Sequence, residues 1–192
     1  MNLKSILKKI SKTLKGQKEL TPKESQEMMS NLINKNAKTL SISDFKPGTL
    51  LTFKYNAKDK SQIYDKTPFV MVIKQTSKYV LGVNFHWAPV KKRLILVEYI
   101  LKQNSKNIRN NNSLKIKYHD LKGALNTIGM YPVIRLYIKK RISSKGIIVP
   151  DELIRQAAKM KSETFTQGRA SSTTLWSRAV QKAKTTKRKL TT

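Results

Sequence analysis

A chain of 192 residues that carries 40 Lys and Arg against 11 Asp and Glu has a formal net charge of +29, and any compact fold it adopts must work against strong self-repulsion. The charge is not confined to a tail. Residues 1–60 carry a net +8, residues 61–160 a net +14 and residues 161–192 a net +7. A folded body made from the middle of this chain is itself basic and is most comfortable against a polyanion. Nucleic acid is the leading partner class, followed by an anionic membrane and then an acidic protein surface. The abundance of Lys, Asn and Ile matches an AT-rich genome, but codon supply does not explain the scarcity of Asp and Glu. Lys greatly outnumbers Arg. Lys meets phosphate as a point charge, whereas Arg reads bases bidentately. Binding is therefore expected to be backbone-directed, salt-sensitive and weakly sequence-specific.

A hydrophobic content of 39% excludes full disorder, and a chain this long can bury a core without staples. With no cysteine there is no disulfide framework, thiolate metal cage or cysteine nucleophile, which fits a reducing compartment. No apolar run approaches the roughly 18 residues that span a bilayer. The N-terminal segment has no apolar h-region, so secretion is not expected.

Three regions are expected: a helical arm over 1–43, a compact α+β domain over 44–160, and a basic C-terminal helix and tail over 161–192. Leu3, Ile6, Leu7, Ile10 and Leu14 recur at helical spacing with Lys4, Lys8, Lys9, Lys12 and Lys15 mostly between them. This amphipathic helix could lie on a membrane, but no Trp or Phe marks an interfacial anchor. Docking on the domain or on a neighbouring subunit is favoured. Thr21, Pro22 and Glu24 form a capping box that opens a second helix, with Met28, Met29, Leu32 and Ile33 on its buried side.

From Asp44 the texture becomes β-rich. Strands are expected over Thr49–Tyr55, Thr67–Lys74 and Tyr79–Phe85, with Gly82 marking a bulge or tight corner. These make a small antiparallel SH3-like sheet or partly open barrel over about residues 45–87, packed with helices and flanked by amphipathic basic terminal helices. Pro89 opens a helix through Gln103. Leu114–Tyr118 reads as a short strand, and His119–Ile128 as a helix stopped by Gly129. Pro132–Ile142 fits strand or helix, and the Ser143–Gly146 turn after it favours helix. Pro150 opens another helix. A last one, capped by Ser171 or Ser172, carries Leu175, Trp176, Ala179 and Val180 into the basic end.

The search for reaction chemistry finds no H-E-x-x-H, no Cys/His cluster, no calcium loop and no phosphate-binding glycine loop. No enzyme, metal or cofactor is expected. Asp65, Glu98 and Asp120 read as partners for nearby cations, and Asp65 also caps backbone N–H groups in a turn. Lys91, Lys92 and Arg93 stand in a helix's first turn, where cations oppose the macrodipole, so an external phosphate would explain them. The same role is assigned to Lys139, Lys140 and Arg141, and to Lys187, Arg188 and Lys189 in the C-terminal run. In Asn84-Phe85-His86-Trp87 the aromatic rings could stack on bases. Core packing, with His86 satisfying a buried carbonyl, is the favoured alternative.

An ordered set of motifs carries a family resemblance. Pro47-Gly48 with Phe53-Lys54-Tyr55, then Tyr64-Asp65-Lys66-Thr67-Pro68, then Gly82-Val83-Asn84-Phe85-His86-Trp87-Ala88-Pro89 with Arg93 following, resembles a tailed-phage virion family often labelled DNA end protector proteins. The similarity covers about residues 45–100, with a looser echo through Tyr131–Val149. Trp87-Ala88 departs from the Tyr-Leu of the family pattern. The resemblance implies a non-enzymatic virion or assembly protein, in the particle or in the host cytoplasm during assembly, that binds double-stranded DNA or its end. A structural connector of neck, tail or baseplate, gripping other virion proteins through the Leu3–Leu14 helix, is the alternative. An RNA-binding protein is a weaker one, since no aromatic RNP motif is present.

Overall fold

The computed structural model describes residues 3–34, 38–59, 64–104, 118–130, 133–160, 176–178 and 180–181. It is an α+β fold built on one six-stranded, wholly antiparallel sheet. The strands are β1 (Thr39–Leu40), β2 (Leu50–Thr52), β3 (Phe69–Gln75), β4 (Tyr79–Asn84), β5 (Ile134–Ile138) and β6 (Gly146–Ile148), in the order β1-β6-β2-β3-β4-β5. The helices are α1 (Leu3–Thr13), α2 (Pro22–Asn34), α3 (Val90–Gln103), α4 (Tyr118–Thr127) and α5 (Ile154–Lys159). Among the described residues no helix is long and apolar enough to cross a membrane.

The continuous apolar run of β3 follows from burial on both faces. Phe69 and Met71 point into a helical core with Leu50, Val83 and Phe85. Val70 and Val72 point into a second core with Phe45, Leu51, Phe53, Val80, Tyr137 and Ile142. Period-two alternation therefore sorts one strand between two cores. The second core sits inside a curl of the sheet. The chain after β5 folds back on the chain after β2: Tyr55 bridges Ile142, the Asn56 N–H donates to the Arg141 carbonyl at 2.9 Å, and the Ser143 N–H donates to the Lys54 carbonyl at 2.9 Å. The sheet is thus curled and open, and it reaches beyond the expected 45–87 span to Thr39 and Ile148.

Within Pro132–Ile142, where the sequence favours a helix, Ile134–Ile138 is instead a strand, and Pro132 lies outside the described residues. Five residues pair with β4 from Tyr79↔Ile138 to Val83↔Ile134, and a 3-10 turn follows at Lys139–Arg141. The pairing gives Tyr137 a buried place in the second core. The favoured reading rested on the turn that follows, and the same exit serves a strand. Of the expected strand Leu114–Tyr118, residues 114–117 lie outside the described residues, and Tyr118 opens α4.

Gly82 pairs with Val72 beside a register shift in β3 between Val72 and Lys74. A Cβ at Gly82 would collide with Val70 Cγ1 and lie 2.9 Å from the Met71 carbonyl oxygen. The glycine permits close backbone approach, and the irregularity itself lies in the neighbouring strand. Gly82→Ala is expected to cost about 1–3 kcal/mol, seen as a lower urea midpoint at unchanged slope.

The helices cover the other face. α3 is buried around most of its circumference, from Arg93 through Leu101. Leu7 and Ile10 of α1 and Met28 of α2 enter the same core. The apolar stripe of α1 thus docks on the chain's own domain, the favoured reading, with Leu3, Ile6 and Leu14 partly buried against the same core. The capping box forms as expected: the Thr21 N–H donates to Glu24 Oε2 at 2.7 Å and the Glu24 N–H to Thr21 Oγ1 at 3.3 Å. Nothing is described of the side chains of Met29, Leu32 and Ile33. Gly129, at φ 65°, ends the α4 segment with the Met130 N–H bonded back to the Leu125 carbonyl. Residues 176–178 and 180–181 are helical, and Trp176 packs on the helical core.

Candidate nucleic-acid interface

Four polar motif residues, scattered over 29 positions, converge under the sheet. Asp65 stands in the turn before β3, Asn84 ends β4, His86 follows in a 3-10 turn, and Arg93 lies in the first turns of α3. Asp65 Oδ2 lies 2.8 Å from His86 Nδ1 and accepts from Asn84 Nδ2 at 3.1 Å. Its Oδ1 accepts from the Thr67 N–H at 3.1 Å, the turn cap expected of it. Asn84 Oδ1 in turn accepts from the His86 N–H. A carboxylate facing Nδ1 fixes that nitrogen as the donor. The partner of His86 is thus a carboxylate and not a backbone carbonyl.

This network is buried: Asp65 is 3% exposed, Asn84 0% and His86 4%. Phe85 is buried and stacks on Phe69 at 5.0 Å, so it does not meet a base. The network locks the turn before β3 to the end of β4. Asp65→Ala would strand three donors together and is expected to cost about 3 kcal/mol, measured by chemical denaturation.

The first basic triplet splits. Lys91 is exposed. Lys92 is half-buried, donates through Nζ to the Ile128 carbonyl and lies 5.1 Å from the Trp176 ring centroid; burial lowers its pKa. Arg93 is 0% exposed. It donates to the carbonyls of Ala88 at 2.5 Å and Met160 at 2.7 Å, and pairs with Glu19 at 3.0 Å. Burial pushes its pKa down to about 10, with Glu19 and then Asp65 opposing the shift. An external phosphate is therefore not what explains Arg93, and Lys92 also has its anion-like partner inside the chain. The Leu20 N–H bonded to the Lys159 carbonyl at 2.8 Å works with Arg93 to hold the segment after α1 against the end of α5. Glu98 pairs with Arg155, a cationic partner of the kind expected, and Asp120 lies beside exposed His119.

The second triplet stands differently. Lys140 and Arg141 are exposed and Lys139 is half-buried, all in the 3-10 turn after β5. The Lys139 N–H donates to the Lys78 carbonyl at 3.0 Å, and the Arg141 and Lys54 carbonyls take part in the fold-back onto the chain after β2. Lys54, Lys78, Lys140, Arg141 and Lys145, all exposed, thus gather at one corner of the curled sheet. Lys187, Arg188 and Lys189 lie outside the described residues.

Beside this corner is a pocket of about 200 Å³ that sequence reasoning did not find. Tyr55, Tyr64, Trp87 and Arg135 are among its walls. The Arg135 guanidinium lies 3.6 Å from the Trp87 ring centroid. Tyr55 and Tyr64 meet edge to face, with centroids 6.2 Å apart. Among the described residues no cluster of His, Asp and Glu could hold a metal ion.

The family described as Phage T4 terminal DNA protecting protein matches residues 2–179. The chain belongs to this family. The match reaches well past the motif-bearing 45–100 span and takes in the segments that form α1 to α5. Within it, the motif residues Asp65, Asn84, His86 and Arg93 have a clear physical role as buried ties. No curated protein and no solved structure shows significant similarity to the chain.

Proposed function

We propose that this family member binds the ends of double-stranded phage DNA through phosphate contacts and shields them from exonucleases without covalent chemistry. The observation that carries the reading is family membership across residues 2–179. The corner around Lys139, Lys140 and Arg141 supports a location for the contact, since Lys140 and Arg141 are exposed on the 3-10 turn after β5 and none of the three forms a salt bridge with a described carboxylate. Exposed Lys91 and the basic sequence run with Lys187, Arg188 and Lys189, which lies outside the described residues, are further candidates for phosphate contact. Neutralisation of phosphates gives affinity without reading sequence. Bulk at the terminus then denies a nuclease its starting point. The protein would act in the virion or in the host cytoplasm during infection.

Digestion of linear duplex by a double-strand exonuclease tests this. Protection should saturate at a few chains per DNA end and be independent of duplex length. Protection that requires enough protein to coat the whole duplex would overturn an end-directed role.

A further inference from the structure

We infer that the pocket between Trp87, Arg135, Tyr55 and Tyr64 receives an unpaired nucleobase of the terminal nucleotide. This rests on the end-binding reading and names the part of the DNA end that is recognised.

The pocket's chemistry selects a base over a phosphate. Asp65 and exposed Asp59 are among its lining residues, so a further negative group is unwelcome there. Among the described residues that line it, the one cation is Arg135, whose guanidinium carbon lies 3.6 Å from the Trp87 ring centroid. None of the described carboxylates forms a salt bridge with Arg135, and its Nε is buried without a hydrogen-bond partner. A largely desolvated guanidinium set against an aromatic face, with its Nε unbonded and no described carboxylate paired to it, gains from a ligand that brings hydrogen-bond acceptors. A nucleobase brings both acceptors and a π face. Tyr64 and Tyr55 supply further ring surface, and stacking on such side chains tolerates any base. A volume of about 200 Å³ is below the range of about 300–1,000 Å³ typical of whole-ligand sites, which suits one ring system.

Position supports the same occupant. Tyr64 Oη donates to Asn56 Oδ1 at 3.4 Å, and the Asn56 N–H is bonded to the Arg141 carbonyl. The pocket therefore borders the basic corner. A duplex held there by its last phosphates presents its terminal nucleotide to the pocket. An overhanging base enters without the cost of unpairing, while a blunt end must first fray. Internal positions of a duplex offer no such base, so the pocket converts general phosphate affinity into preference for ends.

The test uses the full chain and duplexes with a one-nucleotide overhang, 5′ or 3′, that carries either adenine or an abasic residue. The two probes share every phosphate. The adenine end should bind about tenfold more tightly. Trp87→Ala and Tyr64→Ala, each checked for an unchanged circular dichroism spectrum, should bind both probes at the abasic level. Equal binding of the two probes by the unaltered chain, while ends are still preferred over circular duplex, would overturn the pocket and leave the end-binding reading standing. Loss of any preference for ends over circles in the unaltered chain would instead overturn that reading. Persistent discrimination in both folded variants would place base recognition elsewhere and also refute the assignment.

Discussion

Arg93→Ala is expected to lower stability by about 3–5 kcal/mol, one of the largest effects available in this chain. The side chain is wholly buried and its donors end on the carbonyls of Ala88 and Met160 and on Glu19. Removing it leaves buried carbonyls unpaired and opens a cavity where α3, the end of α5 and the segment after α1 meet. Arg93→Lys keeps a charge but loses the planar fork, so it should fall between wild type and Ala. Because burial places the folded-state pKa below its ordinary value, the unfolded chain holds this proton more tightly. Stability gained from that difference appears only above about pH 10 and none near neutrality. The expected pattern is a large fall in the denaturation midpoint with an unchanged salt slope of DNA binding in the protein that remains folded. A phosphate-contacting Arg93 would give the reverse, a shallower slope at full stability.

Replacing Lys139, Lys140 and Arg141 together by Gln should do what Arg93 does not. Each lost phosphate contact removes about 0.9 from the slope of log affinity against log salt, so the triple variant should be shallower by about 2–3. Lys140 and Arg141 are exposed, so the cost in stability should stay within about 1 kcal/mol. Lys92→Gln is the internal control. Its amine is spent on the Ile128 carbonyl and the Trp176 ring, so the slope should not move. A triple variant with wild-type slope would take the DNA away from this corner.

These two variants also mark what was legible in the sequence. The start of α2 was readable because Thr21, Pro22 and Glu24 act within one turn. β3 was readable because burial on both faces leaves an unbroken apolar run. Ile134–Ile138 was not, because its state is decided by pairing with Tyr79–Val83, more than fifty positions earlier. Local signals at Pro132 and Ser143 fit a helix equally well. Arg93 was misread for the same reason. Its carboxylate partner is 74 positions away and its other acceptors are backbone carbonyls, which have no residue signature. The Arg135–Trp87 stack joins residues 48 apart, so its pocket was invisible to any reading of spacing. The aromatic stretch Asn84–Trp87 was read well as packing for Phe85 and His86. Trp87 is the exception, half-buried with its ring against Arg135.

The most direct measurement of the central claim is competition between linear and covalently closed circular duplex of identical sequence for the purified full chain, across a salt series. The linear form should win by a margin that scales with the number of ends and not with length, and both affinities should fall steeply with log salt. Equal competition by circle and line at every salt concentration would contradict end recognition, and a flat salt response would contradict phosphate contact altogether.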